Sequence, residues 1–184
     1  MTPAQLVTLK ADILSDQAFA SLPASLDGAY EIADAYAVVG AVDVWRTDAS
    51  VSAIYDAVDW TKYTPTDAPD GSAIYTNRIL AVQTKQINLQ NMLQGRQTVD
   101  ASRANIRAGL RDAVIALPTG AGGALTSAGG TGGAAVVGAL TRKANRGEVL
   151  FATGPVQTGT VSAKLLTFEG ALTPEQVQQA RELP

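Results

Sequence analysis

Residues 119–133 hold seven glycines among alanine, serine and threonine, with no apolar period. So little side chain can be buried there that it cannot offset the entropy lost on ordering the backbone. The stretch is expected to be a flexible Gly-rich loop or insertion, so any packed fold must be assembled from residues 1–118 and 134–184. Most constraint therefore comes from the helix signals on either side.

Those signals are numerous. Thr2-Pro3-Ala4-Gln5 has the order of a capping box with proline in the first turn, and Leu6, Leu9, Ile13 and Leu14 follow at helical spacing to about Ser15. Asp27-Gly28 opens a second helix through Ile32, Ala33, Tyr36 and Ala37 that ends near Gly40, so the two are expected as a helical hairpin. Residues 42–46 read as a short extended segment, Asp48 as the cap of a helix over 50–58, and 61–70, with two prolines, as a loop. The longest helix is expected from Pro69 or Gly71 to Gln94, with Tyr75, Ile79, Val82, Leu89 and Leu93 on one stripe and Gly95 as the stop. Its other positions, Gln83, Asn88, Gln90, Asn91 and Gln94, are amides where a solvated helix usually carries Lys and Glu, a hint of contact with another protein.

Asp100 or Ser102 is expected to cap a helix with Ile106, Leu110, Ala113, Val114 and Leu117 inward, ended by Pro118. Residues 134–152 recover a helical pattern, 161–168 are strand-like, and Thr173-Pro174-Glu175-Gln176 repeats the opening cap for a helix to Leu183. The expected fold is mainly α, a helical bundle of five or six helices with a minor β or extended part. It forms a single domain over 1–184, with 155–184 as a C-terminal extended arm plus a short helix.

Composition narrows the chemistry. The chain has no His and no Cys, which removes thiolate nucleophiles, disulfides, the usual general base and the commonest metal ligands. No cofactor, metal or catalytic residue is expected, and the chain reads as no enzyme. The opening residues lack the pattern of a secretory leader and no apolar run approaches ~20 residues, so a cytosolic product without membrane contact is expected. Charge is segregated: residues 1–70 carry 11 acids and 3 bases, 71–146 carry 2 acids and 9 bases. Such polarity suits docking of acid to base on an identical neighbour, or a polyanion facing the middle section.

Four groups of residues stand out. Arg103, Arg107 and Arg111 recur every four residues, lining one side of a helix opposite Ile106 and Leu110, and Arg142, Lys143 and Arg146 form a second basic cluster. An ordinary solvated face, docking of a neighbour's acids, and DNA contact all remain open for them, although the chain's net acidity disfavours a dedicated nucleic-acid binder. Gly130-Thr131-Gly132-Gly133-Ala134-Ala135 fits a dinucleotide fingerprint only on paper, since no strand precedes it. Asp27, Asp48 and Asp70 each precede a helix and read as caps rather than as a carboxylate pair for hydrolysis. Trp45 and Trp60 are either a satellite of the core or anchors for a partner.

Five short stretches occur together in a fixed order: Val44-Trp45-Arg46, Val58-Asp59-Trp60-Thr61, Ala104-Asn105-Ile106-Arg107-Ala108-Gly109, the run from Glu148 to Gly154, and the run from Thr167 to Leu172. In these and in its opening helix the chain resembles a group of small proteins of tailed bacteriophages and prophages, with 119–133 outside the similarity. The resemblance implies a virion structural protein, made in the host cytoplasm and placed in the neck or tail. Its implied partners are copies of itself in a ring and other virion proteins such as portal, tail or fibre proteins, with possible proximity to DNA. The alternatives are a tail-fibre or tailspike attachment protein, a DNA-contacting packaging or assembly factor, and a tail-associated hydrolase. On the adaptor reading, Arg103, Arg107, Arg111, Arg142, Lys143, Arg146, Trp45 and Trp60 are the candidate partner interface.

Overall fold

A computed structural model describes residues 1–63, 73–115 and 136–184, and the expected loop over 119–133 lies outside them. Helix α1 is Pro3–Ser15, α2 Gln17–Ala20 and α3 Leu26–Ala37. Strands β1 (Val39–Trp45) and β2 (Ala49–Ser50) follow, then α4 (Val51–Asp56) and a 3₁₀ turn over Trp60–Tyr63. Next come α5 (Ala73–Leu93), β3 (Thr98–Val99) and α6 (Ala104–Val114). The chain closes with β4 (Thr141–Asn145), α7 (Arg146–Phe151), β5 (Thr153–Thr158), β6 (Val161–Leu165) and α8 (Pro174–Arg181).

The expectation of a mainly α helical bundle is overturned. Four strands pair in the order β4-β1-β6-β5, and β2 pairs with β3 in a second, two-stranded sheet, which makes an α/β fold. The larger sheet is mixed: β1 and β6 are parallel with Val44 opposite Lys164. β4 runs antiparallel to β1, since the Arg46 N–H donates to the Leu140 carbonyl and the Arg146 N–H to the Val38 carbonyl. In the small sheet Ala49 faces Val99 and Ser50 faces Thr98, antiparallel.

Two of the strands had no usable signal. β5, Thr-Gly-Pro-Val-Gln-Thr, contains Gly and Pro and occupies a sheet edge, where a missing N–H leaves no ladder bond unmade. β4, Thr-Arg-Lys-Ala-Asn, is the other edge and buries only Ala144. The helix expected over 134–152 is therefore divided, with α7 beginning only where Asn145 and Glu148 form a reciprocal capping box.

By their contacts the described residues fall into two compact units. The first comprises 1–44, 143–155 and 164–184. Here the capping box of Thr2 and Gln5 starts α1 as the sequence indicates, while α3 is capped by Ser25 rather than by Asp27, which sits in its first turn. The two helices are not a simple hairpin, because α8 packs against both. The core joins Leu9, Ile13, Ile32, Tyr36, Phe151 and Val177. Residues 164–184 are thus woven into this core: the Arg181 guanidinium donates to the Leu22 and Pro23 carbonyls, each at 2.7 Å. Gly28 is required by the same approach, since a Cβ there would stand 2.3 Å from the Pro23 carbonyl oxygen.

The second unit comprises 45–142 and 156–163. Among its described residues α5 packs on α6, and Trp45, Ile54, Leu89, Leu93, Leu110 and Leu140 are fully buried. α4 takes its cap from Ser50, and Asp48 instead pairs with Arg46 at 3.0 Å. α6 has Arg103 at its cap position without a side-chain cap bond, because Asp100 is occupied with Ser102 and Arg103.

Candidate assembly surfaces

The row of three arginines does not form one face. Arg107 is only 2% exposed. Its Nη1 donates to the Ala101 and Ser102 carbonyls at 2.7 Å each, its Nε donates to Thr158 Oγ1 at 3.0 Å, and its guanidinium lies 4.7 Å from the Trp45 ring centroid. Burial lowers its pKa, and the charge of Asp100 offsets only part of that. The buried side of α6 is Arg107, Leu110, Ala113 and Val114, turned from the expected one so that Ile106 is only half-buried. Arg103 stays exposed and pairs with Asp100 at 3.0 Å, while Arg111 is half-buried and pairs with Asp112 at 3.7 Å.

Trp45 is a core residue. It has no exposed surface and its Nε1 donates to the Val156 carbonyl at 3.1 Å. Trp60 is 44% exposed, with its Nε1 on the Tyr55 carbonyl and its ring stacked on Tyr55 at 5.9 Å. Of the expected interface residues, the structure brings Trp45 and Arg107 together, as a buried cation–π pair.

The second basic cluster turns its charge inward on the chain's own acids. Arg146 pairs with Asp16 at 3.2 Å and Asp12 at 3.4 Å, and its guanidinium lies over Phe19 and Tyr36 at 4.7 and 4.8 Å. Burial alone would lower its pKa, but the Asp16 hydrogen bond and the surrounding negative charges outweigh that and raise it. The Tyr36 hydroxyl donates to Asp12, and burial followed by that bond raises the phenol pKa. Lys143 donates to Asp43 at 2.9 Å and to the Ala41 carbonyl at 2.8 Å, and Arg142 is half-buried. The charge segregation of the sequence is therefore met in part inside one chain.

Two of the recurring stretches also have a structural explanation. Glu148, 2% exposed, accepts from the Asn145 N–H and the Gly170 N–H, and Asn145 Nδ2 donates back to the Gly170 carbonyl. Gly170 has φ +101, a backbone conformation that favours glycine, and Thr167 Oγ1 donates to the Phe151 carbonyl at 2.6 Å. The runs around 148–154 and 167–172 thus lock to one another. The sequence analysis does not single out this carboxylate; its one local signal is the Asn145–Glu148 spacing of a capping box.

The outer surfaces of α1 and α5 stand apart. On α5 every exposed described residue is uncharged: Thr76, Asn77, Leu80, Gln83, Thr84, Ile87, Asn88, Gln90 and Asn91. Leu80 and Ile87 are 54% and 53% exposed, seven residues apart, on the side opposite buried Val82, Leu89 and Leu93. Lys85 is turned aside, donating to the Asp112 carbonyl, and burial lowers its pKa against the opposing effect of Asp112. α1 repeats the pattern with exposed Ala4, Val7, Ala11 and Leu14, while Lys10 reaches the Leu183 and Pro184 carbonyls. By contrast α3 mixes exposed Leu26 and Tyr30 with Asp27, Glu31 and Asp34, as a solvated helix does.

A groove of about 600 Å³ lies between α5 and α6, lined by Thr84, Asn88, Met92, Gly109 and Asp112 among others. Met92 packs closely on Gly109 at one side of it, where a Cβ would stand 2.8 Å from Met92 Cε. Among the described residues there is no group of acidic side chains able to hold a metal ion, and no helix is long and apolar enough to cross a membrane.

No family model, curated protein or solved structure matches the chain.

Proposed function

We propose that the chain is a structural protein of a tailed bacteriophage particle, a ring-forming adaptor of the neck or tail rather than an enzyme. The observation that carries the assembly reading is the outer face of α5, 21 residues of helix with exposed Leu80 and Ile87 and no exposed charge among its described side chains. A face that stays in water gains from Lys and Glu, whereas depletion of charge with retained aliphatic area marks the centre of a protein contact. The virion setting comes from the resemblance of the five recurring stretches. Each of the five contains a side chain bonded within the fold, Trp45, Trp60, Arg107, Glu148 and Thr167 in turn, which suits a protein that acts by its shape. The DNA-contact alternative is weakened because Arg107, the middle of its basic row, faces inward.

Mass spectrometry of purified particles tests this reading. Peptides of the chain are expected at a fixed ratio to a known ring component, consistent with a ring copy number. Absence from particles that contain their full set of neck and tail proteins would overturn it.

A further inference from the structure

No exposed residue of α1 is charged, and Val7 and Leu14 among them are 60% and 61% exposed. Ala4, Val7, Ala11 and Leu14 form the middle of this face, spaced by three and four on the side opposite the buried Leu6, Leu9 and Ile13. The polar groups around the strip are already satisfied within the chain. Thr8 Oγ1 donates to the Ala4 carbonyl at 3.0 Å and Ser15 Oγ to the Asp12 carbonyl at 2.8 Å. Lys10 reaches the Leu183 and Pro184 carbonyls, and Asp12 is held by the Tyr36 hydroxyl and Arg146. Covering the strip therefore strips no charge of water and leaves no hydroxyl proton without an acceptor.

The order of sizes along the strip specifies its partner. Read from its start, the strip is small, large, small, large: Ala4, Val7, Ala11, Leu14. An antiparallel copy presents the reverse order, so Leu14 meets Ala4, Ala11 meets Val7, and a large residue faces a small one in every layer. Both pairings share one centre, at the height of Leu9, as a two-fold axis requires. A parallel copy in register would instead set large on large and small on small. Alanine in each layer lets the two helix axes approach to ~8 Å, the close end of helix packing. The outer face of α5 has no such order, because Gln83 and Gln90 stand where small residues would be required.

We propose that α1 packs antiparallel on α1 of a second copy across a two-fold axis, through Ala4, Val7, Ala11 and Leu14. The contact goes beyond the adaptor reading and does not depend on it. It uses the same patch on both partners and so closes on two copies, which in a ring would link copies in pairs and leave α5 for other contacts. The overlap spans at most the length of α1, ~20 Å of helix, which buries an area at the low end for specific interfaces. The pair is accordingly weak, and its geometry is what identifies it.

The chain has no Cys, so introduced thiols report this geometry without background. In the antiparallel pair position 4 of one copy lies beside position 14 of the other, whereas the two copies of position 4 are ~15 Å apart along the axis, as are the two copies of position 14. A disulfide needs Cα atoms within ~7 Å. Ala4→Cys and Leu14→Cys are oxidised mildly, each alone and as an equimolar mixture. The mixture is expected to give a dimer linked between positions 4 and 14, identified by mass spectrometry of its peptides, in at least tenfold higher yield than dimer from either variant alone. Equal crosslinking of a single variant overturns the proposal, as does the lack of a 4–14 link in a mixture whose thiols both react with a small maleimide. Val7→Glu, at a position 60% exposed, is expected to melt like the unaltered chain at high dilution and to associate at least tenfold more weakly in sedimentation, since one substitution alters two layers of the pair. Association unchanged by Val7→Glu also overturns it. None of these results bears on whether the chain is found in particles, so failure of this contact and failure of the virion assignment are separable.

Discussion

Arg107 shows how a single position can change roles between sequence and structure. Spacing places it in an outward basic row, yet its methylene stem and guanidinium are buried over Trp45 and bonded to three oxygens. Arg107→Leu leaves the Ala101 and Ser102 carbonyls without their donor and is expected to cost about 3 kcal/mol of unfolding free energy. Arg107→Lys should recover little, because one ammonium cannot reproduce the planar fork. Arg103→Gln, at a 70% exposed side chain, should stay within ~0.5 kcal/mol. Urea denaturation of the three variants checks the order. Tyr63 provides a second case. Its hydroxyl donates to the Ala113 carbonyl at 2.8 Å, and burial pushes its pKa up to about 12. The fold thus favours the neutral phenol, and this contribution is complete below pH 10. It is lost as pH rises from 10 to 12, where the unfolded chain releases the proton and the folded one keeps it. Stability should fall over that window, and Tyr63→Phe should flatten the fall by up to about 1.4 kcal/mol per pH unit, as measured by denaturation at fixed alkaline pH.

At the scale of elements, the helices with strong local signals formed where those signals lie. α1 and α8 start at their Thr capping boxes, and α5 ends before Gly95, whose φ is +72. α3 carries a position where the local rule gives the wrong sign. Exchanging a helical glycine for alanine ordinarily stabilises by up to ~1 kcal/mol. At Gly28 the new methyl would press on the backbone of Pro23, which cannot move without displacing the Arg181 bonds. Gly28→Ala is expected to lower stability by about 2 kcal/mol, read as a lower melting temperature; a rise would show that this approach is loose. The edge strands β4 and β5 illustrate the converse, segments with poor strand composition that are held by ladder bonds to their neighbours.

For the whole molecule, the segregated charges predict salt-sensitive self-association, but the internal pairs change the expectation. Asp12 and Asp16 are engaged by Arg146, Asp43 by Lys143 and Asp48 by Arg46, which withdraws them from docking on a neighbour. With the exposed described side chains of α5 and the outer face of α1 uncharged, raising the salt concentration from 0.05 to 0.5 M, which contracts the Debye length severalfold, should change the association constant less than about tenfold. Sedimentation equilibrium at both salt concentrations measures this. Association that disappears at high salt would restore acid-to-base docking and remove the uncharged helix faces as its cause.

Local chemistry in the sequence determined the helix starts at Thr2 and Thr173, the apolar face Leu6, Leu9 and Ile13, the extended character of 42–45 and 161–165, and the amide-rich surface of α5. Each depends on residues a few positions apart, so spacing alone carries it. Tertiary structure decided the sheet, because its parallel β1–β6 pairing joins Val44 to Lys164 and its edges use segments with little strand propensity of their own. It also decided which charges are available. Arg107 and Arg146 read alike as exposed cations, and only the placement of Trp45 beneath one, and of Phe19, Tyr36 and two aspartates beside the other, turned both toward the chain itself. A cation's partner is set by distance in space, which periodicity along a helix does not encode.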